Sequence, residues 1–290
     1  MRFLSYIIDG ISLGSVYAII ALGYTMVYGI AKMLNFAHGD IIMVGSYIIF
    51  MMVAKLNLPI FISIIIGIIA CTLLGIIIEK FAYKPLRNAP SLAVLITAIG
   101  VSYFLQNGAQ LIWTSSTRMF PTVFSSTINI GNLQIPYLTI ATIVVCVLIM
   151  ILLMIFVNKT KTGMAMRACS EDKGAASLMG INVNKTISLT FAIGSGLAAV
   201  ASFLLSAAYP AINPTMGSMP GIKAFTAAVF GGIGSIPGAF IGGVLLGIIE
   251  IFTKAYISTE LSDAIVFAVL IVVLLIKPTG LLGKKAKEKV

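Results

Sequence analysis

Asn35-Phe36-Ala37-His38-Gly39-Asp40 places an amide, an imidazole and a carboxylate directly before the apolar run Ile41 to Val53. Such a cluster reads in two ways. It is either the start of a half-helix, with Asn35 or Asp40 capping an N-terminus that attracts a carboxylate such as that of an amino acid, or an interfacial turn in which His38 and Asp40 are simply solvated. In the first reading Phe36 and Gly39 join the same path. Gly231, Gly232 and Gly234 interrupt a second apolar stretch, and irregular backbone at membrane depth is tolerated only against protein or a water-filled cavity, so these glycines too are expected to line the path. Glycine ladders also let helices pack closely. Gly234, Gly238 and Gly242 recur at four-residue spacing, as do Gly243 with Gly247 and Gly10 with Gly14, and from Gly238 onward packing is the preferred reading.

A third stretch, Lys173-Gly174-Ala175-Ala176-Ser177-Leu178-Met179-Gly180-Ile181, sets small residues between charges and closes on a glycine. It predicts a short helix along the membrane surface. Ala175, Ala176 and Gly180 permit close approach to a partner's groove, while Arg167, Glu171, Asp172 and Lys173 offer pairing at the rim. A solvated loop would expose Leu178, Met179 and Ile181 to no purpose. Glu250 and Lys254, one helical turn apart, read as a snorkelling interfacial pair without function, and Asp9 as another interfacial residue.

Enzymatic chemistry is not expected. No phosphate-cradling glycine loop ending in Lys-Ser or Lys-Thr occurs, His38 is the lone histidine, and no serine stands in a nucleophile elbow. Cys71 and Cys146 lie in apolar runs and Cys169 in a basic loop, so all three read as packing residues. No catalytic residue, metal ligand or cofactor is therefore assigned to this chain.

The elements that hold these clusters follow from solvent. With 59% hydrophobic and 10% charged residues over 290 positions, the chain would expose far too much apolar surface in water. Long unbroken apolar runs exclude a barrel's alternating strands, which leaves an all-α, polytopic transmembrane bundle as a single domain over 1–290. At about 20 residues per crossing, this length allows on the order of eight spans. Clean ones run Leu58 to Ile78, Ser91 to Trp113, Tyr137 to Val157, Ser188 to Ala208 and Ser262 to Ile276, and Met1 to Ile30 begins the chain as a retained helix. Ala31 to Ala54 and Gly221 to Thr253 are interrupted, and the second is too short to cross twice, so broken or re-entrant helices are expected there.

The net charge of +10 does not indicate nucleic acid, because the bases sit in gaps between apolar runs. Lys80, Lys84 and Arg87 fill one gap; Lys159, Lys161, Arg167, Lys173 and Lys185 fill another, the loop 158–187; Lys277, Lys284, Lys285, Lys287 and Lys289 mark the tail 277–290. The positive-inside rule puts these three segments in the cytoplasm beside anionic lipid, the C-terminus included, and turns Thr114 to Pro136 and Tyr209 to Gly221 outward.

Gly14-Ser15-Val16-Tyr17-Ala18, Leu22-Gly23-Tyr24-Thr25-Met26-Val27-Tyr28-Gly29-Ile30, the Asn35 to Asp40 segment, Gly231 to Ala239 and Leu178 to Val183 together resemble the LivH-type permeases of high-affinity branched-chain amino-acid ABC importers. The resemblance covers nearly the whole chain. It implies a permease subunit of the inner membrane that translocates branched-chain amino acids by alternating access. The implied partners are a LivM-like second permease, two cytoplasmic ABC ATPase subunits that consume ATP, and an extracytoplasmic amino-acid-binding protein. The loop also looks like a degenerate form of the "EAA" coupling segment: Ala175, Ala176 and Gly180 match, while Gly174 stands where that pattern has Glu, which weakens the case for a specific salt bridge but not for docking. Permeases for urea or short amides are similar too, and Asn35-Phe36-Ala37-His38 favours amino acids. An ion-coupled carrier or channel would need ionisable groups deep in the spans, where the central ones have almost none.

Overall fold

A computed structural model describes residues 2–87, 89–122, 126–130 and 133–283. Eleven α-helices dominate the described residues. Six are long and apolar enough to cross a membrane: α1 (Arg2–Ala31), α3 (Ile60–Ile78, prolonged to Leu86 by a π turn and a 3-10 turn), α4 (Ser91–Trp113), α5 (Tyr137–Lys159), α8 (Val183–Ala208) and α10 (Ile236–Tyr256). Two shorter apolar helices, α2 (His38–Ala54) and α11 (Ser262–Ile276), accompany them. The sequence places α4 and α11 at their observed bounds, and α3, α5 and α8 to within a few residues at one end, because lipid demands long apolar runs.

The interrupted regions are broken as expected. Residues 32–37 separate α1 from α2, with Lys32 at φ 58°. In the second region, α9 (Ser218–Gly231) has 14 residues and is followed after a short turn by the 21-residue α10. Gly232 and Gly234 carry φ of 107° and 93°, which side chains rarely adopt, so the chain can turn there. Leu281 and Leu282 donate their backbone N–H groups to the carbonyls of Phe230 and Gly231, both at 2.9 Å, closing the end of α9 with the segment after α11. Thus Gly231 to Gly234 form a turn locked by the tail. Lys284, Lys285, Lys287 and Lys289 lie outside the described residues.

The glycine ladders do what close packing requires. Gly10 and Gly14 of α1 lie against Ile248 and Val244 of α10, while Gly243 and Gly247 of α10 lie against Ala18 and Gly14. Gly238 and Gly242 in turn meet Gly231 and Ala227 of α9. Cys71, Cys146 and Cys169 are buried and free of disulfides, as packing residues.

At one end of the bundle lie α6 (Lys161–Glu171) and α7 (Lys173–Leu178). The other carries two short antiparallel ribbons, β1 (Arg118–Met119) with β4 (Ala211–Ile212) and β2 (Thr127–Ile130) with β3 (Leu133–Pro136), which the all-α expectation did not include. We call these the α7 end and the ribbon end.

Gly39, in the first turn of α2, touches the Gly217 carbonyl, and a Cβ there would lie 3.1 Å from the Gly217 carbonyl carbon. Two backbones leave no flexible side chain to yield. Gly39→Val is expected to lower the stability of the detergent-solubilised protein by about 3 kcal/mol, the upper end for overpacking. Gly108→Val, where nothing lies within 4 Å, is the control and should unfold like the wild type.

Candidate functional site: a mid-bundle cleft and a docking face

Asp40, in the first turn of α2, is 2% exposed and accepts a hydrogen bond from Gln106 Nε2 of α4 at 2.9 Å. The same amide lies 3.2 Å from Ser102 Oγ and 3.3 Å from Ser218 Oγ, so its two hydrogens serve three acceptors. These groups form the polar floor of a cleft of about 410 Å³ whose walls are Phe36, Leu95, Ile99, Tyr103 and Ile222. One polar patch in a largely apolar cleft of this size suits a small amphipathic ligand.

Toward the α7 end the cleft stops at packed rings. Phe36 meets Phe225 of α9 with centroids 5.5 Å apart, Phe225 meets Tyr24 of α1 at 5.7 Å, and Tyr24 meets His38 at 4.7 Å. Beyond Phe225 lies a second, collapsed crevice among Tyr28, Met33, Asn35 and Ile233 with no room for a water. Asn35 Oδ1 accepts from Tyr83 Oη at 2.9 Å, whereas Asn35 Nδ2 and His38 Nε2 have no hydrogen-bond partner among the described residues.

Neither Asn35 nor Asp40 caps α2, contrary to the sequence reading. Ala37 is the N-cap, both polar side chains bond to other helices, and Gly217 sits against the helix start. The interfacial-turn alternative also fails, because Asn35, His38 and Asp40 are all buried. Of the path candidates, Phe36 and Asp40 line the cleft and Asn35 the crevice. Gly39, Gly231 and Gly232 are held in backbone contacts, and exposed Gly234 faces Gly29.

At the α7 end, Asp172 Oδ1 accepts from the N–H groups of Gly174 and Ala175 at 2.8 and 3.0 Å and so starts α7. Gly180, at φ 81°, ends it, with Gly180 N–H donating to Ser177 and Ile181 N–H to Ala176. Lys173 Nζ donates to the Ala31 carbonyl at 2.8 Å, tying α7 to the end of α1. Burial there, then the charges of Arg87 and Lys32, hold the Lys173 pKa below its ordinary value. Leu178 and Met179 are 91% and 82% exposed, alongside exposed Glu171, Ala175 and Gly180. Ala176 points the other way: it is 3% exposed and packs inside the chain. Arg167 is exposed and reaches the Asn158 carbonyl at 3.4 Å.

The profile of the family described as "Branched-chain amino acid transport system / permease component" matches residues 6–274. The chain belongs to this family. It is 48% identical to the high-affinity branched-chain amino acid transport system permease protein LivH of Salmonella typhimurium, covering 100% of this chain and 98% of that protein. The BraD permease protein of Pseudomonas aeruginosa, likewise described as high-affinity branched-chain amino acid transport, is 45% identical with the same coverage. Among solved structures, PsaBC from Streptococcus pneumoniae in complex with Fab shares the fold at a TM-score of 0.51 and 18% identity, over 93% of this chain and 91% of that one.

Sequence reasoning missed several residues of this permease. Gln106 and Phe225 lie within apolar runs and carry no local signal that singles them out. Glu250 was placed at the interface with Lys254. Instead it is 1% exposed and accepts from Tyr17 Oη at 2.9 Å, Lys223 Nζ at 2.8 Å and Lys254 Nζ at 2.6 Å. Lys223 also pairs with Asp263 at 2.6 Å. The signal was available: Lys223 and Glu250 are ionisable groups inside apolar text, and such groups are rarely placed in spans without a partner.

Proposed function

We propose that this permease is the membrane subunit of an ATP-driven ABC importer that carries branched-chain amino acids across the inner membrane by alternating access. The observation that carries the reading is the mid-bundle cleft, with largely apolar walls, one carboxylate–amide floor and an aromatic barrier on its α7 side. Asp40 and Gln106 would meet the charged head of the cargo and Leu95, Ile99 and Ile222 its side chain. Opening of the Phe36–Phe225 contact would join the cleft to the crevice beside Asn35. Identity of 45–48% over the full length with permeases named for this cargo supports the assignment.

In this reading the α7 end and the C-terminus are cytoplasmic, the ribbon end faces outward, and α2 and α11 complete about eight spans. One of the two ATPase subunits docks on the exposed face of α7 and the other on a LivM-like permease that supplies the other half of the path, while an extracytoplasmic binding protein delivers cargo to the ribbon end. ATP is used by the partners. Closure of the ATPase pair is transmitted through α7 and its tie to Ala31, and differential affinity for the two states couples it to the path. Selectivity lies chiefly with the binding protein, because an apolar path separates side chains differing by a methylene by only about 1 to 3 kcal/mol.

The test is leucine uptake into proteoliposomes containing the assembled importer. Uptake should require ATP and both ATPase subunits, and excess urea should not compete. Accumulation driven by an ion gradient without ATPase subunits would replace this reading with that of a carrier.

A further inference from the structure

Near the ribbon end, on the side of α9 away from the mid-bundle cleft, a separate cavity of about 220 Å³ opens among Tyr17, Tyr209, Lys223, Glu250 and Lys254. Its remaining wall is apolar, with Leu13, Leu205, Met216 and Met219. We propose that this cavity is an outward-side binding site for a free aliphatic amino acid in its zwitterionic form. The proposal rests on the importer reading above and adds to it a place where cargo first meets the permease.

Charge is the first argument. Lys223 and Lys254 are balanced by Glu250 and Asp263 within one connected set of ion pairs, so the site is neutral as a whole and carries both signs. A zwitterion is matched to that pattern: it adds a positive and a negative end without leaving a net charge in a low-dielectric place. Its carboxylate would be met by Lys254, which is one-third exposed and spends one of its donors on Glu250, and by the Tyr209 hydroxyl. Its ammonium would be met by Glu250 Oε2, which accepts only from Tyr17 among the bonds of the described residues and has a lone pair to spare.

Position is the second. Met219, Pro220 and Lys223 of α9 face this cavity, whereas Ser218 and Ile222 of the same two turns face the mid-bundle cleft. One short helix separates the two spaces. A ligand held at Lys254 and Glu250, beside Lys223, therefore bears on the helix that carries Phe225 two residues further along. A purely structural ion-pair cluster explains the burial of Glu250 but not the aliphatic wall and open volume beside Lys254.

The experiment uses the assembled importer in lipid nanodiscs and an amine-acylating reagent, with modification of Lys254 read by mass spectrometry. Millimolar leucine should slow acylation of Lys254 at least fivefold in a saturable way. Leucinamide, which lacks the carboxylate, and 4-methylpentanoate, which lacks the ammonium, should each protect less than twofold. In uptake assays, Lys254→Met should raise the leucine KM severalfold with a smaller change in the maximal rate, and Lys254→Arg should restore it. Leucine failing to protect, or leucinamide protecting equally, overturns the site. Protection without any ATP-driven leucine uptake leaves the site standing and sinks the importer reading; uptake without protection does the reverse.

Discussion

Replacing Leu178 and Met179 together by Asp should abolish ATP-driven uptake while leaving the permease folded. Both side chains are almost wholly exposed at the α7 end, so within the chain itself they bury little and their loss costs it little stability. Burying each against a partner is worth about 1.5 kcal/mol or more, and introducing carboxylates into an apolar groove adds a desolvation penalty. A combined loss of about 3 kcal/mol weakens docking on the order of a hundredfold. Co-purification of the ATPase subunits should fail, and the melting temperature of the isolated permease should match wild type. Uptake at the wild-type rate would remove α7 as the docking element. The same geometry says which neighbours should not matter for direct contact: Ala176 faces inward, and Asp172 is engaged in starting α7.

Glu250→Ala should be among the most destabilising single substitutions in the chain. Glu250 collects the Tyr17 hydroxyl and two lysine ammoniums in a buried position, and its removal leaves Lys223 with Asp263 alone as its ion-pair partner among the described residues. Breaking a buried pair from one side costs about 3 to 5 kcal/mol, because the remaining charge stays desolvated. Thermal unfolding in detergent should show the loss directly. Lys223→Met in the Glu250→Ala background should recover part of it by removing a buried cation that keeps only the partly exposed Asp263 as its ion-pair partner among the described residues. A Glu250→Ala protein that melts like wild type would show that the network contributes no stability. Lys254→Ala is expected to be mild by comparison, since Lys254 is partly exposed and its bond with Glu250 is a one-turn helical pair.

By itself the sequence determined that this chain lives in lipid, where its long helices run, and where regular helix must break. Those properties follow from local rules: hydrocarbon thickness sets the length of an apolar run, and a glycine cluster or a polar interruption within it marks a turn. The ladder of Gly10, Gly14, Gly243 and Gly247 even announced a close helix pair, although not which helices would form it. Tertiary structure alone decided what the polar residues do. Asp40 meets Gln106, Tyr17 meets Glu250 and Asn35 meets Tyr83 only because distant helices are brought side by side, and hydropathy along the chain carries no record of such pairings. In a medium without water to satisfy them, buried polar groups must find one another, so their partners are settled by helix packing and not by neighbours in sequence.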